Sequence, residues 1–138
     1  MFNHPDFDAH EKVLMVEDAE SGLQAIIAIH STALGAAAGG CRLWSYETSA
    51  QALGDALRLS RGMSYKNAMA DLGMGGGKAV ILGPVLPEKR EAVLKAFGRA
   101  VDSLKGDYIT AEDVGVSVAD MEIVATQTRF VSGLSGGV

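Results

Sequence analysis

Two lysines and a pair of carboxylates are the residues of this 138-residue sequence whose types and positions could support chemistry. Lys66 and Lys78 each lie among small and apolar residues, and Glu112 and Asp113 follow a short apolar segment. If the two ammonium groups met in one pocket, repulsion and desolvation would ease the loss of a proton from one of them. That lysine could then act as a base, with a carboxylate completing the site. Taken singly, each lysine also fits an ordinary surface residue, and the two carboxylates fit a solvated turn.

The glycine-rich segment before Lys78 resembles a phosphate-binding loop only in part. A phosphate-binding loop requires glycine where this sequence has Leu72, and Ser or Thr where it has Ala79. The dinucleotide pattern G-x-G-x-x-G also fails, because Lys78 stands at the position of the third glycine. We therefore expect no nucleotide site here. Residues 71–77 are predicted to form a loop that leads into a strand over Lys78–Leu82.

Strands and helices alternate in the segments that would position these residues. An antiparallel pair of strands opens the chain, and a long helix carries Lys66 near its end. The small residues Gly35–Gly40 form either a loop or a tightly packed strand end. This alternation predicts an α/β fold, a mixed sheet flanked by helices in a single domain. The predicted elements are strands Lys12–Val16 and Leu23–Ile29, a helix capped by Thr48, a helix opened by Pro87 and ended by Gly106, strand Tyr108–Thr110, a helix capped by Ser117, and a strand from Phe130–Val131.

Composition narrows the classes of function. Hydrophobic residues make up 48% of the chain, charged residues 21%, and the formal net charge is −5, which disfavours nucleic acid or an anionic membrane as a partner. No apolar stretch is long enough to span a bilayer, and residues 1–12 lack the apolar core of a secretory signal, so we expect a cytoplasmic protein. Cys41 is the only cysteine and is predicted to be a small semi-buried hydrophobe rather than a reactive thiol. The scattered histidines show no metal-ligand spacing, so no metal is assigned.

Four short motifs match, in order and spacing, the signature segments of one enzyme family. They are Gly39-Gly40-Cys41-Arg42, Met63-Ser64-Tyr65-Lys66-Asn67-Ala68, Gly75-Gly76-Gly77-Lys78 and Thr110-Ala111-Glu112-Asp113-Val114-Gly115. The sequence thereby resembles the Glu/Leu/Phe/Val (amino-acid) dehydrogenase family, with most similarity to its leucine, phenylalanine and valine dehydrogenases. The resemblance runs from about Gly22 to Ser135. It implies that residues 1–138 are the N-terminal substrate-binding and oligomerisation domain, and that the Rossmann cofactor-binding domain is absent.

The resemblance also implies a reaction and a role for each site residue. Members of this family use NAD or NADP to convert an L-amino acid reversibly into a 2-oxo acid and ammonia. Lys66 would bind the substrate carboxylate, assisted by the backbone of Gly39 and Gly40. Lys78 would be the general base that activates water and polarises the carbonyl group. Asp113 would carry a proton to and from the substrate nitrogen.

Small apolar residues form the implied wall of the substrate pocket. The resemblance places Met63 near the substrate, and Ala38 and Ala111 against its side chain. Because such a wall would leave a glutamate carboxylate unpaired, we expect a hydrophobic substrate such as leucine or phenylalanine. Cys41 stands where relatives usually have Thr, and the alanine run Ala36–Ala38 is simpler in composition than the corresponding segment of those relatives. Both departures bear on the shape of the pocket.

The implied absence of the cofactor-binding domain limits the activity expected of residues 1–138 alone. Hydride transfer needs a nicotinamide held against the substrate carbon, so we expect no NAD or NADP bound to this piece and no dehydrogenase activity from it. The family's subunit contacts lie in this domain, which predicts a homo-oligomer. The alternative is a standalone amino-acid-binding or assembly module that lost catalysis, including a regulatory amino-acid sensor. A nucleotide-binding protein would rest on the glycine segment alone.

Overall fold

A computed structural model describes residues 1–134 of the chain. Ser135, where the family resemblance ends, and the last residues of the predicted domain lie outside the described residues. The strands are β1 (Lys12–Asp18), β2 (Leu23–Ser31), β3 (Ala37–Ala38), β4 (Cys41–Trp44), β5 (Gly75–Leu82) and β6 (Tyr108–Ile109). The helices are α1 (Ser49–Met69), α2 (Arg90–Ser103) and α3 (Val118–Val124). Within the described part of the chain, none of the helices is long and apolar enough to cross a membrane.

The strands form one mixed sheet, which confirms the predicted fold class. The strand order is β1-β2-β5-β3-β6, and β4 pairs with β5 further along that strand. The predicted opening pair is present, since β1 runs antiparallel to β2 and β2 antiparallel to β5. Strands β3 and β4 run parallel to β5, and β3 runs parallel to β6. The sheet therefore joins an antiparallel half to a parallel half along β5.

Strands β3 and β4 follow one line between β5 and the segment that contains β6. The break between them is Gly39–Gly40. Backbone N–H groups of Cys41 and Leu43 donate to the carbonyls of Ala111 and Val114. The loop after β6 is thereby held beside β4, only one strand away from β5.

Helices cover both faces of the sheet. On one face, α2 and α3 pack on a core that includes Ile27, Ala79 and Ile81, and on the other face α1 packs on Ile26, Ala28 and Val80. Successive side chains of a strand point to opposite faces. Lys78 precedes Val80 by two positions, so its side chain starts on the α1 side of the sheet.

The predicted helix signals are largely confirmed. The side chain of Thr48 caps α1 by accepting a hydrogen bond from the Gln51 N–H at 3.2 Å. Ser117 and Asp120 form a reciprocal capping box at the start of α3. Pro87 opens a 3₁₀ turn rather than the α-helix itself, which begins at Arg90. The apolar face predicted for this helix is buried, namely Val93, Leu94, Phe97, Val101 and Leu104.

Two predicted boundaries were wrong. Strand β5 begins at Gly75 rather than at Lys78, so the loop is shorter than the predicted residues 71–77. A Cβ atom at Gly75 would lie 1.8 Å from the Ser31 carbonyl oxygen, and one at Gly76 would lie 2.1 Å from the Ser64 nitrogen. These glycines therefore allow β2 and α1 to approach β5 closely, as glycines in strands often do. Among the described residues, the strand predicted to begin at Phe130–Val131 consists of a single bridge between Val131 and Thr110.

Candidate active site

Lys78 and Asp113 form a close ion pair at the centre of the parallel half of the sheet. The distance from Lys78 Nζ to Asp113 Oδ2 is 2.5 Å. Lys78 is only 6% exposed, and Asp113 is partly buried in the loop after β6. A buried ammonium group needs such a partner, because desolvation without one is costly. The structure thus brings together the two residues that the sequence analysis proposed as catalytic.

Gly40 makes this pairing possible. It lies in the line of β3 and β4, between the strand that carries Lys78 and the loop that carries Asp113. A Cβ atom at Gly40 would lie 2.7 Å from the Glu112 carbonyl oxygen and 2.8 Å from Asp113 Cβ. A side chain at this position would push the loop away from β5 and separate the pair.

Arg42 is a second cation on the same carboxylate, and the sequence analysis did not identify it as a site residue. Its Nε donates to Asp113 Oδ2 at 3.2 Å, and its Nη1 lies 3.7 Å from Asp55 Oδ2. Asp55, on α1, also accepts a hydrogen bond from the Tyr46 hydroxyl at 2.7 Å and pairs with Arg58. We refer to Lys78, Asp113, Arg42 and Asp55 as the ion-pair chain. The sequence signal for Arg42 was its position at the end of the Gly39-Gly40-Cys41-Arg42 motif, two residues after Gly40.

Charge and burial act in opposite directions on Asp113. Burial alone would raise the pKa of its carboxyl group, but the hydrogen bond and charge of Lys78 outweigh burial, with help from the Val114 N–H and Arg42. The pKa of Asp113 therefore lies below its ordinary value. Asp113 is an anion at neutral pH and can act as a proton acceptor.

Gly39 packs tightly against the backbone of Gly77 and the side chain of Met63. A Cβ atom there would lie 1.6 Å from the Gly77 carbonyl oxygen and 3.3 Å from Met63 Cγ, so Met63 packs against this glycine. The Gly39 carbonyl accepts a hydrogen bond from the Tyr108 hydroxyl at 2.7 Å. Burial raises the pKa of Tyr108 well above its ordinary value, so this side chain stays a neutral donor. Tyr108 was predicted only as a strand residue, and its support of Gly39 was missed.

Lys66 takes no part in the ion pair and is exposed on the last turn of α1. No salt bridge joins it to any residue between 1 and 134. It follows Met63 by three positions and therefore shares the helix face of that residue. Its neighbour Asn67 donates to the carbonyls of Gly75 at 2.7 Å and Ala38 at 3.3 Å. Those two bonds fix the end of α1 over β3 and the start of β5.

The remaining predicted residues lie close to these groups in the sheet. Ala38 is a partly buried residue of β3, and Ala111 is partly buried opposite Cys41. Cys41 is fully buried, where a semi-buried position was predicted, and burial raises the pKa of its thiol. Residues 1–134 hold no cluster of three or more side chains suited to a metal ion.

Known proteins match this chain over nearly its whole described length. Residues 10–130 match the profile of a family described as Glu/Leu/Phe/Val dehydrogenase, dimerisation domain. The chain is 54% identical over 135 residues to leucine dehydrogenase from Geobacillus stearothermophilus, a match that covers 98% of this chain and 37% of that protein. It is 57% identical over 132 residues to valine dehydrogenase from Streptomyces virginiae, which covers 96% of this chain and 37% of that protein.

A solved structure gives the same result at the level of coordinates. The crystal structure of L-tryptophan dehydrogenase from Nostoc punctiforme matches with a TM-score of 0.85 and 46% identity, covering 89% of this chain and 37% of that one. The chain therefore spans a little over a third of the length of each of these relatives.

Proposed function

Because the chain belongs to the Glu/Leu/Phe/Val dehydrogenase family, we propose that it is the substrate-binding and oligomerisation domain of an NAD(P)-dependent amino-acid dehydrogenase. The proposed reaction is the reversible oxidative deamination of a hydrophobic L-amino acid to a 2-oxo acid and ammonia. The observation that carries this proposal is the buried contact of 2.5 Å between Lys78 Nζ and Asp113 Oδ2. A standalone binding or assembly module would not require these two groups for proton transfer.

Lys78 and Asp113 would divide the proton transfers. Lys78 would take a proton from the attacking water and polarise the carbonyl oxygen, while Asp113 would exchange a proton with the substrate nitrogen. The ammonium proton of Lys78 has a direct acceptor in Asp113 Oδ2 at 2.5 Å. This contact would keep the two groups within direct reach of each other for such transfers.

Lys66 would bind the substrate carboxylate. An exposed ammonium group without a protein partner among the described residues is available to an incoming anion. Gly39 would assist indirectly rather than as a donor, because its N–H already donates to the Ile109 carbonyl and its Cβ position is filled by Gly77. Gly40 would assist by letting the loop that carries Asp113 pack close to the strand that carries Lys78, since its Cβ position is filled by Glu112 and Asp113.

The proposed wall of the pocket consists of Met63, Ala38 and Ala111. All three are partly buried and none carries a charge, so a hydrophobic side chain would fit there and a glutamate carboxylate would be left unpaired. The names of the leucine and valine dehydrogenases support this choice of substrate. A panel of leucine, valine, phenylalanine and glutamate tests it in the complete enzyme. Faster turnover of glutamate than of the others would reject the proposal on substrate class.

The described residues do not fit a dinucleotide. Cβ positions of Gly75, Gly76 and Gly77 are filled by Ser31, Ser64 and Tyr108, so no phosphate can approach this glycine run. The run also leads into a strand, whereas the dinucleotide fingerprint opens a helix. We propose that NAD or NADP is held by residues other than 1–134, and that a polypeptide of these 138 residues alone forms no NADH with substrate. The family description as a dimerisation domain supports a homo-oligomer.

Lys78→Ala in the complete enzyme tests the proposed function. Loss of the base is expected to lower kcat by about 10²–10⁴-fold. Lys95→Ala is the matched control, since Lys95 pairs with Glu91 on the exposed side of α2, and its kcat should equal that of the parent. Turnover of the Lys78→Ala variant close to that of the parent would show that Lys78 is not the base.

A further inference from the structure

We infer that Arg42 is a positioning residue that holds the carboxylate of Asp113 toward Lys78 and is itself held by Asp55. This inference rests on the proposed function, because it assigns a task to Arg42 in the proton transfers of Asp113. The assignment comes from the contacts of the ion-pair chain rather than from the sequence motifs.

A single oxygen of Asp113 receives both cations. Lys78 Nζ lies 2.5 Å and Arg42 Nε lies 3.2 Å from Asp113 Oδ2. The three residues come from β5, β4 and the loop after β6, so the carboxylate is tied to two separate strands. Without Arg42, the Asp113 side chain would keep only its contacts to Lys78 and the Val114 N–H, and could rotate more freely about its Cα–Cβ bond.

Asp55 fixes the other end of the Arg42 guanidinium. Asp55 Oδ2 lies 3.7 Å from Arg42 Nη1, and Asp55 is itself held by the Tyr46 hydroxyl and by Arg58. Burial would raise the pKa of Asp55, but the hydrogen bonds from Tyr46 and Arg58 lower it below its ordinary value. Asp55 is therefore ionised and balances the charge of Arg42.

The ion-pair chain differs from an ordinary surface salt bridge. Side chains of Arg42, Asp55 and Asp113 are 25%, 20% and 22% exposed, so solvent screens their contacts less than those of fully exposed pairs. Each member except Lys78 also has at least two partners, which restricts its rotation. A planar guanidinium can contact two carboxylates at once through different nitrogen atoms, whereas a lysine ammonium is a single point charge.

The first experiment is a carbon-13 NMR titration of the Asp113 carboxyl group in the chain itself, with Asp113→Asn to assign the signal. Arg42 is one of the groups that lower the pKa of Asp113, so Arg42→Gln should move the titration midpoint of Asp113 upward. Arg61→Gln is the matched control, because it removes the same charge from a residue that pairs with Asp8 instead. The inference is overturned if Arg42→Gln leaves the midpoint unchanged, or if Arg61→Gln moves it equally far.

The second experiment measures kinetics in the complete enzyme. Arg42→Gln should lower kcat by roughly 10- to 100-fold through misplacement of Asp113, while KM for the amino acid stays near that of the parent. The acid limb of the kcat pH profile should move to higher pH. An active parent with an unchanged Arg42→Gln variant would overturn the inference. A parent without dehydrogenase activity would overturn the proposed function instead, and the NMR titration would still test Arg42.

Arg42→Lys covers the case in which Arg42→Gln fails to fold, as judged by circular dichroism. Lysine keeps the positive charge but cannot contact Asp113 and Asp55 together. The Asp113 midpoint should therefore stay nearer to that of the parent, while kcat remains lowered. Full recovery of kcat by lysine would show that charge alone matters, and would overturn the positioning role.

Discussion

The two lysines of the proposed site lie in regions of opposite character. Lys78 extends from β5 beneath α1, nearly buried, with its ammonium group 2.5 Å from a carboxylate. Lys66 lies on the last turn of α1, exposed and without a salt bridge to any described residue. A buried charge must have its partner in place when the protein folds, because desolvation otherwise opposes burial. An exposed charge without a protein partner remains able to bind a ligand.

The space around the glycines also differs between the two regions. On the β5 side, Gly39 and Gly40 leave no room for a Cβ atom. On α1, by contrast, Gly62 has nothing within 4 Å of its Cβ position. Glycine is therefore required by close packing in the first region and is only tolerated in the second.

Gly39→Ala should disrupt the packing of the buried region and have the largest effect on stability. The added Cβ atom would lie 1.6 Å from the Gly77 carbonyl oxygen, and the backbone of β3, β4 and β5 would have to separate. We expect a loss of roughly 3–5 kcal/mol of unfolding free energy, or failure to fold. Chemical denaturation followed by circular dichroism measures it.

Gly62→Ala is the matched control for that substitution. The same methyl group on the open face of α1 should raise the unfolding free energy by about 0.5–1 kcal/mol, because alanine favours the helix more than glycine does. If both variants had equal stability, the assignment of close packing to Gly39 would be wrong.

Lys66→Ala should separate binding from proton transfer. Removal of the exposed ammonium group is expected to raise KM for the amino acid by roughly 10- to 100-fold, as for the loss of a hydrogen bond to a charged group. The unfolding temperature should stay near that of the parent, since no described partner is left unpaired. Initial rates at saturating cofactor in the complete enzyme measure this change. Lys66→Arg keeps the charge and should recover most of the affinity, and a Lys66→Ala variant with unchanged KM would contradict the binding role.

Much of the fold could be predicted from the sequence, because its signals are local. The caps at Thr48 and Ser117 fix where two helices begin, and the apolar face around Phe97 identifies the buried side of α2. The start of β5 was wrong for a physical reason. Glycine disfavours regular structure in isolation, yet here the close approach of β2 and α1 holds Gly75–Gly77 in the sheet.

The site was predictable in its residues but not in its contacts. Motif order identified Lys78 and Asp113, which the structure places together. Arg42 and Asp55 were missed because they meet only through the parallel pairing of β4 with β5 and the packing of α1 on the sheet. Sequence spacing carries no record of such long-range contacts, and the roles of Lys66 and Met63 remain predictions for kinetics to test.

Asp113→Asn sharpens the comparison through pH, with a smaller effect than that of Gly39→Ala. Since folding lowers the pKa of Asp113 below its ordinary value of 3.8, the contribution of its anion to stability is complete above that value and is lost as the pH falls below it. At pH 7 the variant should lose roughly 1.5–3 kcal/mol of unfolding free energy relative to the parent. This difference should shrink in acid, where the parent's carboxylate is protonated too. Urea denaturation from pH 7 to pH 2.5 measures the gap, with Glu112→Gln as control, because Glu112 is exposed and forms no salt bridge with residues 1–134. If the difference in unfolding free energy stayed constant down to the lowest pH, the Lys78–Asp113 contact would not depend on the charge of the carboxylate. The claim that a buried ion pair stabilises this region would then be wrong.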